Sequence, residues 1–186
     1  MCNKADESIN HLLSECSKMA QKDYKRTHDW IGRKIHWEVC RKYGLDTKDR
    51  WYEHEPQAVC ENEHYKILWD FPIQTDHVIE ARRPDMIIVD KKNNKCQIID
   101  FAVPFDTRVA EKEKEKIFKY QDLARELKKL WNKKVKVIPV IFGELGTTPK
   151  ALPKRLKEIG IATRIVELQK TVLLQSARIL RQVLEI

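Results

Sequence analysis

Residues 82–105 read RRPDMIIVDKKNNKCQIIDFAVPF, and this stretch decides the fold. It holds two short apolar runs, MIIV and QII, separated by the polar segment KKNNK with its two adjacent asparagines. Such runs favour strands and such a segment favours a chain reversal, so the stretch predicts an antiparallel hairpin. Asp85 opens the first strand and Asp100 closes the second. Pairing of the strands should therefore bring the two carboxylates to the same end of the hairpin.

Two carboxylates at the end of a buried hairpin need a positive partner, because they repel one another as anions. A hard divalent cation suits them, since Mg²⁺ takes one or two carboxylates and fills its other positions with water and phosphate oxygens. Asp85 and Asp100 are therefore the predicted ligands of Mg²⁺ or Mn²⁺. Arg82 and Arg83 precede the first aspartate, where guanidinium groups can bind phosphates bidentately, although solvated arginines at a strand start are equally common.

A long helix is predicted after the hairpin, over residues 107–131, and it carries lysines near the aspartates. At helical periodicity Lys116 falls near the centre of the apolar stripe, Lys119 falls at its edge and Lys114 faces solvent. A lysine inside a buried stripe costs stability unless it finds an anion, which favours an orientation toward the aspartate pair. The alternative is that Lys116 extends along the first turns of the helix to reach water.

The motif Pro84-Asp85, fourteen residues and Asp100 resembles the PD-(D/E)XK nuclease signature. The fuller text RRPDMIIVD…IIDFAVP…EKEKEKIFKYQDL resembles, over nearly the whole chain, the restriction-like endonuclease domain at the carboxyl end of reverse transcriptases from site-specific non-LTR retrotransposons. The resemblance implies an α/β fold with a PD-(D/E)XK restriction-endonuclease-like core, a mixed β-sheet flanked by helices. Ala102 stands where the general signature has lysine. The resembled subfamily takes its lysine from the following helix, which implies a catalytic role for Lys116, or for Lys119 as its neighbour or substitute.

The function implied by this resemblance is that of a Mg²⁺- or Mn²⁺-dependent DNA endonuclease. It would nick double-stranded target DNA, with Arg82 and Arg83 at the DNA, and expose a 3′-hydroxyl for target-primed reverse transcription in the nucleus. Its partners would be the element RNA and a reverse transcriptase domain. Two alternatives stay open: a catalytically inactive DNA-binding fragment of a retrotransposon polyprotein, and a structural α/β domain with solubilising aspartates. The net charge of +8 suits a partner that is a polyanion.

The amino-terminal residues Cys2, His11 and Cys16 have the spacing of the last three ligands of a CCHC zinc knuckle. A structural zinc site takes four ligands, and only three are present here. The resembled proteins carry such a knuckle directly before the nuclease. Residues 1–20 are therefore expected to be a truncated knuckle that binds Zn²⁺ only if completed, and residues 21–186 the endonuclease domain. The alternative is a short helix on which the histidine and the second cysteine merely face one another.

A first helix is predicted over residues 24–43, ended by Gly44. His28 and Glu38 interrupt its apolar face, and resembled folds lend a residue of this helix to the active site, so either is a candidate metal-shell or proton-relay group. The alternative is a core histidine and a glutamate paired with neighbouring cations. A bent strand or strand pair is predicted before the hairpin, over residues 67–73 and 77–80. One more strand is predicted over residues 135–142, and two final helices over residues 149–159 and 163–184.

Composition sets the remaining bounds. A chain of 186 residues with 42% hydrophobic content can bury one core. Five cysteines without an even framework favour a reducing, intracellular compartment. No apolar run reaches membrane-spanning length, and neither a P-loop nor a GxGxxG is present, so the sequence implies no membrane partner and no nucleotide cofactor.

Overall fold

The computed structural model describes residues 8–9, 11–16 and 23–184. Its strands are β1 (Val59–Glu61), β2 (Tyr65–Trp69), β3 (Met86–Asp90), β4 (Lys95–Ala102) and β5 (Lys134–Ile141). Its α-helices are α1 (Lys25–Lys42), α2 (Val109–Lys119), α3 (Gln121–Leu130), α4 (Leu152–Glu158) and α5 (Ile165–Leu184). Short turns of π- or 3-10 helix cover His11–Glu15, Trp51–Glu53 and Asp106–Arg108.

The strands form one mixed sheet in the order β1-β2-β3-β4-β5. The first four pair antiparallel in sequence, and the predicted hairpin is confirmed as β3 and β4, with Met86 opposite Ile99. β5 lies parallel to β4, which requires a long crossover, and α2 and α3 provide it. Pro139 of β5 lies opposite Asp100. A proline is tolerated there because β5 is an edge strand.

Helices cover both faces of the sheet, because the central strands are apolar on both sides. Along β3, Met86 and Ile88 pack with residues of α1, α4 and α5, whereas Ile87 and Val89 pack with residues of α3. A continuous apolar run is the expected pattern for a strand buried on both faces. The architecture is therefore a three-layer α/β fold, a mixed sheet flanked by helices as predicted.

The helix α1 lies very close to the sheet at Gly32. A methyl group added there would lie 2.7 Å from Cη2 of Trp69 and 3.2 Å from Cδ2 of Phe101. Both distances are shorter than ordinary carbon–carbon contact, so only glycine permits this approach. The consequence is that His28, one turn earlier on α1, comes within reach of the strand ends.

Two predicted elements differ from the structure. The helix predicted over residues 107–131 is divided at Tyr120, whose φ of −104° and ψ of 12° end α2 and begin α3. Apolar periodicity continues across this residue, so the pattern alone could not show the break. The segment 77–80 is irregular, and β2 ends at Trp69, before Pro72. Among the described residues, no helix is long and apolar enough to cross a membrane.

Candidate active site

The two aspartates of the hairpin stand opposite one another at one end of the sheet. Asp85 directly precedes β3, and the register that pairs Met86 with Ile99 places Asp85 across from Asp100 one step further. Opposite residues of an antiparallel pair direct their side chains to the same face. Asp85 Oδ2 also accepts a hydrogen bond of 2.6 Å from the backbone N–H of Phe101, which ties its carboxylate to β4.

The carboxylate of Asp100 is almost completely enclosed, with 2% of its side chain exposed. The hydroxyl of Tyr120 donates to Oδ1 at 2.6 Å, and Lys116 Nζ forms an ion pair with Oδ2. No donor of good hydrogen-bond geometry reaches Oδ2 among the described residues. Burial raises the pKa of Asp100 and the charge of Asp85 raises it further, against the opposing effects of Lys116 and Tyr120. The ionised form of Asp100 is therefore disfavoured, and an added cation would stabilise it.

His28 of α1 contacts the other carboxylate. Its Nε2 lies 3.1 Å from Oδ2 of Asp85, and its Nδ1 lies 3.1 Å from Oδ1 of Asp29. Burial lowers the pKa of His28, but the hydrogen bonds and charges of the two aspartates outweigh it and raise the pKa to about 9. An imidazole with a carboxylate at each nitrogen must donate at both, which requires the protonated ring.

The pKa of Asp85 responds in the opposite direction. Its burial favours a higher pKa, but the hydrogen bond and charge of His28, the N–H of Phe101 and the charge of Lys116 together lower it. Asp85 is therefore the carboxylate that stays ionised, and Asp100 is the one that needs added positive charge. The difference follows mainly from the contacts of Asp85 with His28 and the N–H of Phe101, and Asp100 is also more deeply enclosed, with 2% of its side chain exposed against 21% for Asp85.

These donors fit a divalent cation. Two carboxylates provide the hard oxygen ligands that Mg²⁺ and Mn²⁺ prefer. The buried Oδ2 of Asp100, without a well-formed hydrogen bond, offers electron pairs to such an ion. Asp85 and Asp100 are the residues that would hold it, with His28 and Lys116 beside them.

A cleft of about 590 Å³ lies next to Asp85 and His28. Its lining includes the cationic side chains of Lys25, Arg33 and Arg83. Arg33 and Arg83 already pair with acids: Arg33 with Glu55 at 3.0 Å and Arg83 with Asp70 at 2.7 Å. The lining also holds four acidic side chains, so the cleft carries both signs of charge. It is open to solvent and gives a phosphodiester backbone access to Asp85.

Other residues predicted for the site lie elsewhere. Lys119 is exposed, with Nζ 4.8 Å from the centre of the Tyr120 ring, so it is Lys116 that reaches the carboxylates. Glu38 is hydrogen-bonded to Thr163 and is not among the contacts of the aspartates, and burial is the main cause of its raised pKa. Arg82 lines a separate depression with Phe71 and Trp131.

The predicted zinc knuckle is only partly within the described residues. Cys2 lies outside them. His11 and Cys16 are both buried, and the backbone N–H of Cys16 donates to the carbonyl of His11 at 2.7 Å. Zinc binding at these residues and a domain boundary at residue 20 stay predictions.

Tyr120 is a site residue that sequence reasoning missed. The pattern assigns it to the apolar stripe, and its ring is indeed buried. Its hydroxyl nevertheless hydrogen-bonds Asp100, and burial together with the charge of that aspartate raises the tyrosine pKa. One signal in the sequence could have indicated this contact. A buried tyrosine hydroxyl needs a hydrogen-bond partner, and the buried acceptor predicted nearby is the carboxylate of Asp100.

A mixed sheet with an aspartate pair at one end, a lysine from the following helix and an open cleft is the arrangement of PD-(D/E)XK-like metal-dependent nucleases. The family model described as "L protein N-terminus" matches residues 52–147, which include both aspartates and Lys116. The chain belongs to this family, and as such it is a metal-dependent endonuclease that uses divalent ions. His28 precedes the matched span. The curated proteins include none that matches the sequence.

This family corrects the interpretation based on the retrotransposon resemblance. The matched family is the amino-terminal domain of viral L proteins, so the assignment to a non-LTR retrotransposon reverse transcriptase is wrong. The predicted partners are therefore wrong as well: double-stranded DNA, element RNA and a reverse transcriptase domain. The same holds for target-primed reverse transcription, for DNA contacts of Arg82 and Arg83, and for the alternative of an inactive DNA-binding fragment. The physical reason is that the quoted motif consists of metal ligands and buried strands. Hydrolysis of any phosphodiester needs those features, so they do not identify the polynucleotide.

Proposed function

We propose that this domain is a cap-snatching endonuclease, which cuts capped host mRNA with a divalent ion. The observation that carries the proposal is the joint presence of Asp85, Asp100, Lys116 and His28 at one sheet end of a chain in this family. The cleft beside Asp85 gives RNA access to the carboxylates, and Lys25, Arg33 and Arg83 are the side chains of its lining that can contact phosphates. Host mRNA as substrate implies action in the host cytoplasm, in place of the nuclear location predicted with a DNA target.

Asp85 and Asp100 hold the ion in this proposal. Mg²⁺ or Mn²⁺ supplies Lewis-acid stabilisation of the charge that develops on the phosphate. Asp100 lies deepest and Asp85 faces the cleft, so the pair spans the distance from the protein interior to the substrate. Tyr120 donates to Oδ1 of Asp100 and fixes the orientation of that carboxylate.

Lys116 is the catalytic cation. Its ammonium is paired with Asp100 and 15% of its side chain is exposed, so it is close to the carboxylates and can face a bound phosphate. From that position it orients the attacking water and stabilises the added negative charge on the phosphate. Hydrolysis breaks the bond between phosphorus and the 3′-oxygen, so the cut strand ends in a 3′-hydroxyl.

His28 is a positioning residue for Asp85. Its Nε2–H donates to Oδ2 of Asp85 while Asp29 accepts at the opposite nitrogen, which fixes the ring. Loss of such a supporting contact typically lowers metal affinity or activity by about 10- to 100-fold. Replacement of His28 with alanine should therefore raise the ion concentration needed for cleavage or lower the cleavage rate by a similar factor, whereas replacement of either aspartate should abolish cleavage.

The test is a cleavage assay of the chain on 5′-capped RNA, uncapped RNA and duplex DNA, each with Mg²⁺, Mn²⁺ or a chelator. RNA should be cut in the presence of an ion and left intact with the chelator. Asp85→Asn and Asp100→Asn should be inactive on RNA. Lys114→Ala is the surface control, because that lysine is exposed on the helix that carries Lys116.

Two results would contradict the proposal. Cleavage of duplex DNA with RNA left intact would refute the substrate, although the metal site would stand. Full RNA cleavage by Asp85→Asn or Asp100→Asn would refute the site itself.

A further inference from the structure

A second cluster of metal-binding side chains lies on the opposite part of α1 from the active site. His36 and Cys40 are one turn apart on α1, and His54 follows the short helical turn Trp51–Glu53. All three side chains are buried. Among the described residues, this is the group of three whose donor atoms all lie within 4.8 Å of one another.

The distances within the cluster are close to those of a metal site. Cys40 Sγ lies 3.6 Å from His36 Nδ1, and His36 Nδ1 lies 2.8 Å from His54 Nε2. A tetrahedral zinc with bonds of about 2.0 Å to nitrogen and 2.3 Å to sulfur separates neighbouring N and S ligands by about 3.6 Å, and two N ligands by about 3.3 Å. The sulfur also lies 3.8 Å from His36 Nε2, so it sits beside the ring and its side chain must turn toward a shared ion. The two rings need to separate by a few tenths of an ångström.

A fourth soft ligand stands beside this group. Cys60 of β1 lies close enough to Cys40 that each thiol affects the pKa of the other. It is half-buried and packs against the same core as α1. Its sulfur lies outside the three-atom group, so a rotation of its side chain is needed to complete a tetrahedron. The resulting pattern, H-x3-C-x13-H-x5-C, has two nitrogen and two sulfur donors.

We propose that His36, Cys40, His54 and Cys60 form a structural Zn²⁺ site, separate from the nuclease centre. Two thiolates and two imidazoles suit Zn²⁺ and not the hard ions that the aspartates bind. Binding replaces the thiol proton of each cysteine, which is released to solvent. The ion would fasten the segment 45–60 to α1. It would thereby fix the helix that carries His28, and this role goes beyond the cleavage chemistry.

A metal-free account of the same geometry exists, and it sets the design of the test. Two neutral imidazoles can hydrogen-bond at 2.8 Å, and the rings of His36 and His54 are stacked with centres 5.0 Å apart. In that case the cluster is a buried polar pair and has no affinity for zinc. Zinc content and cobalt spectroscopy distinguish the two accounts without any measurement of cleavage.

The experiment measures zinc per chain by plasma mass spectrometry after purification and exhaustive dialysis. Cys16→Ser serves as the background, because it removes any contribution of the predicted amino-terminal knuckle. In this background about one equivalent of zinc should remain, as expected for a single closed site. Cys40→Ser and His54→Gln should each abolish it, and Cys96→Ala, at a buried cysteine in the other core, should retain it.

A second measurement keeps the proposal testable if Cys40→Ser fails to fold. Co²⁺ added to the metal-free Cys16→Ser chain should give the intense visible bands of tetrahedral cobalt and sulfur-to-cobalt charge transfer. Cys60→Ser should weaken the charge-transfer band but keep the other three ligands. An octahedral cobalt spectrum, absence of zinc from the purified chain, or full zinc retention in His54→Gln would overturn the proposal.

Discussion

Replacement of Lys116 with alanine tests both the stability and the chemistry of the site. The Lys116 and Asp100 side chains are 15% and 2% exposed, so the mutation leaves a carboxylate buried beside the charge of Asp85. Removal of one partner from such a buried pair costs about 3–5 kcal/mol of unfolding free energy. The metal-free variant should therefore be clearly less stable than the wild type.

The double variant Lys116→Ala/Asp100→Asn isolates this effect. Neutralising Asp100 removes the buried charge, so most of the lost stability should return, and a double-mutant cycle should show strong coupling. Chemical denaturation of the metal-free wild type, single variants and double variant at neutral pH measures this coupling energy. Lowering the pH should also reduce the penalty, since the raised pKa of Asp100 favours its protonation.

Cleavage should respond differently from stability. RNA cutting by Lys116→Ala at saturating Mn²⁺ should fall by about 10²- to 10³-fold, as expected for loss of a positioned proton-transfer or charge-stabilising group. Lys119→Ala and Lys114→Ala are the matched controls, because both lysines are exposed on the same helix. If Lys116→Ala cuts RNA within about threefold of wild type, a difference below 1 kcal/mol in the barrier, then the assigned role is wrong. Loss of activity in Lys119→Ala alone would move the role to that lysine.

Three further predictions concern neighbouring residues. The pKa of His28 is raised from 6.5 to about 9, so its ion pairs stabilise the metal-free fold fully below pH 6.5, and this stabilisation is lost as the pH rises through 9. Melting curves between these pH values should show the loss of stability, and His28→Asn should remove this pH dependence. Tyr120→Phe deletes the 2.6 Å hydrogen bond to buried Asp100 and should cost about 1.5–3 kcal/mol in denaturant titration, with weaker Mn²⁺ binding; unchanged stability would contradict the contact. Gly32→Ala places a methyl group 2.7 Å from a ring carbon and should cost about 1–3 kcal/mol in denaturant titration; a stability equal to that of the wild type would refute the close approach.

The fold was largely predictable from its apolar runs. The hairpin, β5 and α1 follow from continuous runs or helical stripes, and their structural bounds are close to the predicted ones. The division at Tyr120 was not predictable, because the apolar period continues through this residue. The break is accompanied by a hydrogen bond from the Tyr120 hydroxyl to Asp100 on β4, a contact between residues distant in sequence. The parallel placement of β5 beside β4 likewise depends on how the crossover packs, which local patterns do not encode.

The site was predictable where the register alone determines proximity. Asp85 and Asp100 follow from hairpin pairing, and Lys116 follows from helical phase. His28 and Glu38 could not be separated by phase, but ten residues of helix place them about 15 Å apart along α1, so only one can reach the strand ends. The polynucleotide was not predictable, because carboxylates that can hold a metal ion and a lysine beside them suit the phosphodiester of any polynucleotide.

The lysine and the carboxylates belong to different structural units, and this separation has an evolutionary consequence. The aspartates are fixed by the hairpin, whereas Lys116 is carried by the crossover between β4 and β5. Ala102, two residues after Asp100 on β4, then has no catalytic role to fill. If related nucleases exchanged only the crossover segment, the lysine would be transferred with it. The hairpin of the recipient would keep its own affinity for the metal ion. Rate and ion preference can then diverge independently during descent, each through changes in a separate segment.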